Sequence, residues 1–308
     1  MKKTSIYYKD EEEDVQTQGN FSVFADFDGE VADLMNMEIE ETIPILPLRN
    51  MVLFPGVLMP VSVGRRTSIR LVKDAEKRHR LIGVVCQKTS DTEYPLLEDL
   101  HNVGTVGKII RILEMPDRTS TVIIQGAQRF DLLSITSTEP YMMGMVVSRP
   151  DAIPRGNDRE FQALSESVRE LMARYLKAND FMPSESQFAL NNIRDNVFLI
   201  EFICANMPLK KSDKISLLMS DGIKSRAYLL LEMLTREVQL AEIKRNIQMR
   251  AREDIDQQQR EYFLQQQIKT IQDELGGASS EHEIQEMRQK AEKIKWSKEV
   301  KEVFLREV

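Results

Sequence analysis

From Ile223 to Leu275 the chain contains neither proline nor glycine, and so long a run rich in Leu, Glu, Arg, Gln and Ala favours one continuous helix. At 1.5 Å rise per residue such a helix is roughly 80 Å long, too long to lie on one small domain. Its apolar stripe is divided. Ala227, Leu230, Leu231, Leu234, Val238 and Ala241 give the near end a packing face, and Leu264, Ile268, Ile271 and Leu275 recur at spacings of 4, 3 and 4 at the far end. Between them Gln248 to Glu261 offers little but Ile255. A helix apolar at both ends and polar in the middle bridges solvent between two packed bodies. Gly276 and Gly277 stop it. Ser280 with Glu283 then forms a capping box, and Ile284, Met287, Ala291 and Ile294 return at helical spacing, which predicts a helical hairpin whose second arm packs against Leu264 to Leu275. A further helix opens near Ser297, and its lack of a cap before Val308 reads as a cut end.

The 308 residues suffice for two domains, each with its own core. Residues 1–41 form an acidic leader, with 12 Asp/Glu against Lys2, Lys3 and Lys9 and a charge block at Asp10 to Asp14. It reads as disordered or as a loosely held arm, although Phe21, Phe24 and Phe27 can dock as a short segment. Residues 42–150 are a β-rich lobe, with strands at Ile43 to Leu46, Met59 to Val63, Leu81 to Gln87, Val103 to Leu113, Thr121 to Gln125, Arg129 to Thr136 and Tyr141 to Ser148. One helix, Thr67 to Arg78, covers a curled, mostly antiparallel sheet that closes on itself to hide its edges. Residues 151–220 are a helical bundle. Asn157 or Asp158 caps its first helix, Ser184 with Gln187 opens the second, and Asn196 to Ala205, apolar nearly all round, is its buried centre. Pro208 ends that helix and Ser212 opens a short one through Met219. Residues 221–308 carry the long helix and hairpin. The fold class is therefore α+β multidomain: a mostly antiparallel β-lobe with one helix, an all-α bundle, then the long helix.

The chemistry of catalysis finds little material. Gly104 to Lys108 lacks the spacing and the Ser/Thr of a phosphate-cradling loop. His282 and Glu283 begin an H-E-x-x-H pattern, but Glu286 stands where the second ligand belongs. His79 and His101 are isolated, so no metal is expected and no Ser-His-Asp relay is identifiable. Cys86 and Cys204 are the only cysteines; both lie in apolar runs, and a reducing compartment is the simpler expectation. No apolar run approaches the ~20 residues of a membrane-spanning helix. The net charge of -7 sits in the leader, which leaves the rest at +2, and this argues against nucleic acid as the main partner.

The run from Ile43 to Arg65, IPILPLRNMVLFPGVLMPVSVGR, followed by Ser68, Ile69 and Val103-Gly104-Thr105-Val106, resembles the opening of the amino-terminal domain of Lon proteases. Met207-Pro208-Leu209-Lys210, Met219-Ser220-Asp221, Gln259 to Leu264 and Ile271 to Gly276 agree in the same order. The resemblance implies a PUA-like β-lobe and a helical lobe with a long helix running toward an ATPase ring. It also implies an AAA-plus ATPase using ATP and magnesium and a Ser-Lys peptidase, both beyond Val308, in a cytoplasmic homohexamer that degrades damaged or tagged proteins. This stretch itself then holds no catalytic residue, cofactor or metal; its partners are unfolded or degron-bearing proteins and other copies of the chain. Flexible apolar side chains suit varied partners, so Leu53, Phe54, Val57 and Leu58 at a turn, with Met142, Met143 and Met145 on a strand, are candidate substrate contacts. Leu264, Ile268, Ile271, Leu275, Ile284 and Met287 are candidate coiled-coil contacts. The alternatives are a free-standing coiled-coil scaffold and a PUA-like RNA-binding protein.

Overall fold

Short β-branched runs separated by Pro and Gly turns form six strands: β1 (Thr42–Leu48), β2 (Leu58–Val63), β3 (Ile82–Gln87), β4 (Leu100–Glu114), β5 (Ser120–Ser137) and β6 (Met143–Ser148). The structure, a computed structural model, describes residues 37–114, 120–179, 184–274, 277–294, 300 and 303–304. The leader phenylalanines, Leu275, Gly276 and most of the segment after Ile294 lie outside them. The strands run in the order β2-β5-β4-β3-β1-β6, and β5 also pairs with β6, so β5, β4, β3, β1 and β6 close into a ring that carries β2 on β5. Closure leaves few unpaired backbone groups, as the number of short strands predicts. β1 and β3 are the parallel pair, and parallel neighbours need a crossover; α1 (Arg66–Arg78) lies within it.

The two expected strands on either side of Gly126 are one. β5 is 18 residues long; its first half pairs with β2 and the end of β4, its second with the start of β4 and with β6. Register shifts at Thr105/Gly107 and Ile109/Arg111 let the strand bend without breaking. Gly126 is needed for a close approach rather than a turn: a Cβ there would stand 2.1 Å from the Phe54 carbonyl oxygen.

After the sheet come α2 (Arg159–Ala178), α3 (Ser184–Asn192), α4 (Asn196–Asn206), α5 (Lys211–Met219), α6 (Gly222–Glu274) and α7 (Gly277–Glu292). Asp158 caps α2, accepting from the Phe161 amide at 3.0 Å, and Asp195 caps α4, accepting from Val197 at 2.8 Å. The continuous helix is present, with 53 residues in α6. Ala227, Leu230, Leu234, Val238 and Ala241 are buried as its stripe requires.

The chain divides into two units, residues 1–242 and 243–308. Within the first, the β-lobe and helical bundle do not keep separate cores. Val52, Phe54, Val57, Cys86 and Val103 from the sheet side cluster with Phe161, Leu199, Phe202, Leu217 and Leu230 from the helices, so a continuous apolar seam joins what the sequence texture divides at Pro150. In the second unit the apolar stripes of α6 and α7 stay uncovered, which differs from the packing expected of a helical hairpin. Leu264, Ile268 and Ile271 are 48%, 55% and 53% exposed, and Ile284 and Met287 37% and 51%, values that mutual packing across a hairpin would bring far lower.

Candidate functional site

The β-lobe carries a groove of about 320 Å³ between the end of β1, the start of α1, the loop after β3 and the turn between β5 and β6. Its wall is mixed in chemistry: Ile45, Pro47, Leu71, Tyr94, Pro95, Leu96, Tyr141 and Met142 with Arg65, Glu93 and Glu139. The loop from Lys88 to Asp99 is pinned at its base. Arg65 donates to the Gln87 Oε1 at 2.8 Å and to the Thr92 carbonyl at 3.1 Å, and Gln87 Nε2 donates to the same carbonyl at 2.9 Å. The Leu96 amide donates to Asp99 Oδ2 at 2.9 Å. The pinned loop nevertheless leaves Tyr94 74% and Leu96 57% exposed. Apolar side chains presented on an ordered loop beside a groove lose little entropy on meeting a partner, the situation that favours binding.

The opposite wall is held by Tyr141, whose hydroxyl donates to Asp74 Oδ2 at 2.6 Å. This hydrogen bond, with Arg78 close by, keeps the Asp74 carboxyl below the usual carboxylate range and raises the Tyr141 phenol. A second apolar patch lies on β5 and β6, where Met145 and Val147 are 41% and 50% exposed beside Leu133 at 53%. Leu133 falls at a register shift of the β5–β6 ladder and is turned outward by it.

The sequence candidates separate into three groups. Leu53, Phe54 and Val57 are not surface residues: they are 2%, 0% and 4% exposed. Their turn is bonded to β5, Gly56 N to the Gly126 carbonyl and Gly126 N to the Val57 carbonyl, both at 2.9 Å, and the side chains of Phe54 and Val57 enter the seam with the helices. That burial corrects their assignment as substrate contacts. Leu58 is half-buried opposite Gln125, and Met143 is half-buried against the core beneath α1. Met142 lines the groove and Met145 stands on the exposed patch. Tyr94, Leu96 and Tyr141 were not singled out by sequence reasoning; the signal was Tyr94-Pro95-Leu96-Leu97, an apolar run inside a stretch that otherwise reads as turn.

A second constellation is absent from the sequence-based candidates. Arg129 on β5 makes a two-point contact with Asp151, Nε to Oδ2 at 2.8 Å and Nη2 to Oδ1 at 2.6 Å, and its Nη1 donates to the carbonyls of Leu218 and Ser220 at 2.6 and 2.8 Å. Arg226 on α6 donates to Asp151 Oδ1 and to the Leu217 carbonyl, each at 3.0 Å, and pairs closely with Glu201 on α4. The side chains are 0–2% exposed, so no ligand reaches them. Two guanidiniums face two carboxylates, which makes the burial of charge tolerable. Burial pushes the Glu201 carboxyl up to about 7 although Arg226 lies beside it. Glu201, a lone charge inside the apolar run Val197 to Cys204, was the readable signal.

Burial also raises both thiols, Cys86 to about 11 and Cys204 well above the ordinary value, which leaves neither a ready nucleophile at neutral pH. Among the described residues no cluster of His, Cys, Asp and Glu has the geometry to hold a metal ion, and no helix is long and apolar enough to cross a membrane.

A ring-closed sheet fused through its core to a helical bundle, with a pinned apolar loop over a groove, defines a two-lobe binding domain. The chain belongs to the family of ATP-dependent protease La (LON) substrate-binding domains, whose family model matches residues 42–236. A Lon protease of Parabacteroides distasonis is 49% identical over 271 residues, 88% of this chain and 33% of that protein. One of Flavobacterium johnsoniae is 46% identical over 276 residues, covering 90% and 34% respectively. The chain thus spans about a third of the length of these relatives. A solved structure described as the N terminal domain of Mycobacterium avium complex Lon protease matches 63% of this chain and 98% of its own, with a TM-score of 0.50 at 16% identity. That likeness is one of fold.

Proposed function

We propose that this chain is the substrate-recognising and oligomer-organising amino-terminal region of a cytoplasmic Lon-type protease. The observation that carries this reading is the groove with Tyr94 and Leu96 held out on a pinned loop. In it the chain captures apolar segments of misfolded, damaged or degron-bearing proteins, with Tyr141 and Met142 forming the opposite wall. Tyrosine and methionine suit this work: one gives broad rigid contact, the other adapts its shape to varied side chains. The Leu133–Met145–Val147 patch extends the surface available to a longer segment. On this reading, degradation, ATP and magnesium binding and Ser-Lys chemistry are the work of the whole protease and not of this stretch. The β-lobe is read as PUA-like, and α6 with α7 as a hairpin completed by other copies of the chain. The uncovered stripes at Leu264, Ile268 and Ile271 and at Ile284 and Met287 favour that completion in a hexamer, since helices rarely leave repeated apolar positions in water.

Tyr94→Ser with Leu96→Ser tests the groove. Both residues are exposed, so the fold should persist by circular dichroism, and affinity for a permanently unfolded protein, read by fluorescence anisotropy, should fall about tenfold, as loss of about 1.4 kcal/mol of anchor contact requires. Unchanged affinity in the folded double variant removes the loop from the binding surface.

A further inference from the structure

Helix α1 offers a charged surface that the groove does not use. Arg66, Arg70, Lys73 and Lys77 recur at spacings of 4, 3 and 4 and are all exposed, so they form one basic stripe on the outward face. With Ile69 and Asp74 they line a groove of about 440 Å³. Asp74 is already engaged by Tyr141 and Arg78, and Lys73 meets Glu114 in an exposed pair. Among the described residues no carboxylate forms an ion pair with Arg66, Arg70 or Lys77. Arg66, Arg70 and Lys77, on a helix of 13 residues about 20 Å long, therefore offer positive charge to an anionic partner beside the Lys73–Glu114 pair.

The same chain supplies one. Asp10, Glu11, Glu12, Glu13 and Asp14 are five consecutive carboxylates in the part of the sequence before the described residues. The chain enters the described fold beside α1: Arg80, two residues past the helix, donates to Glu40 at 2.7 Å. From Asp14 to Glu40 is 26 residues (40 minus 14). The contour of 26 residues reaches at most roughly 90 Å, well beyond the length of α1. Charge, reach and point of entry therefore agree on one occupant.

We propose that the acidic block Asp10–Asp14 docks on the basic stripe Arg66–Arg70–Lys73–Lys77 of its own chain. Arg65, Thr67, Ser68 and Leu71 line the apolar groove, and the four stripe residues do not. Docking of the leader is independent of what the groove binds, and the following test stands without it.

Zero-length carbodiimide coupling of the full chain, followed by peptide mass spectrometry, should join carboxylates of residues 10–14 to Lys73 and Lys77. The links should be lost in 0.5 M salt, where the Debye length drops below about 5 Å, and in the variant Arg66→Glu/Arg70→Glu, whose exposed positions leave the fold intact. A mixture of isotopically heavy and light chains should give links within one chain. Absence of these links, equal yields to Lys244, Lys269 and Lys290, or heavy–light links as abundant as light–light ones, which mark a second copy as the occupant, overturn the proposal. A chain with Asp10–Asp14 replaced by Asn and Gln should bind a fluorescent pentaglutamate peptide about tenfold more tightly than the unaltered chain. Equal affinities leave the stripe to an external acidic partner and contradict leader docking.

Discussion

Replacing Arg226 by Met lowers the stability of the first unit by about 3–5 kcal/mol, measured by urea unfolding, because it leaves the Glu201 carboxyl buried without its partner and strips Asp151 of one of two guanidiniums. The penalty comes from the orphaned charge rather than from lost attraction. The double variant Arg226→Met/Glu201→Leu, which removes both charges of the closest pair and refills the volume, should therefore regain most of the loss. A single variant within 1 kcal/mol of the parent would mean that Glu201 simply takes up a proton at no cost. The consequence reaches beyond stability. Arg129 belongs to the sheet, Asp151 to the segment after it, Glu201 to the centre of the bundle and Arg226 to the first turns of the long helix, so one cluster of hydrogen bonds fixes all four elements together.

Phe54→Ala costs a similar amount, about 3–5 kcal/mol, the usual effect of emptying a fully buried aromatic site. Phe54 is 0% exposed and clusters with residues of both lobes, and the turn that carries it is clamped to Gly126. The loss should appear as one cooperative transition moved to lower urea, with sheet and helix signals falling together, since a shared core cannot fail on one side alone. Met145→Ala, on the exposed patch, should change stability by less than about 1 kcal/mol. Two separated transitions in Phe54→Ala, with the helical one unmoved, would show that the seam does not join the lobes.

The elements with a clear period were legible in the sequence. The proline-free run became α6, the stripe of Ile69, Leu71, Val72 and Ala75 became α1, and the short β-rich runs around Ile43, Val84 and Val122 became paired strands. What the sequence concealed was partnership. Leu53, Phe54 and Val57 sit beside Pro55 and Gly56 in a turn, where exposure is the ordinary expectation, yet Leu53 enters the sheet core and Phe54 and Val57 meet a helical bundle more than a hundred residues later in the chain. Gly126 read as a break between two strands, whereas its missing side chain makes room for a carbonyl arriving from that same turn. Tyr94 and Leu96 were passed over because nothing local tells a pinned loop from a slack one; the pins are Gln87 and Arg65, and the latter reaches Thr92 from 27 positions away. Glu201 stood alone in an apolar helix, and only the fold reveals Arg226 as its reason.

The proposed function requires the β-lobe groove, and not the Leu53–Val57 turn, to receive unfolded polypeptide. Methyl resonances of methionine read this directly, because Met142 lines the groove and Met145 stands exposed on β6, whereas Met172 and Met207 are 1% and 0% exposed in the shared core. On titration of the full chain with a permanently unfolded protein, the Met142 and Met145 signals should shift progressively while Met172 and Met207 hold their positions. Shifts confined to Met172 and Met207, or none at Met142 at saturating partner, would contradict it.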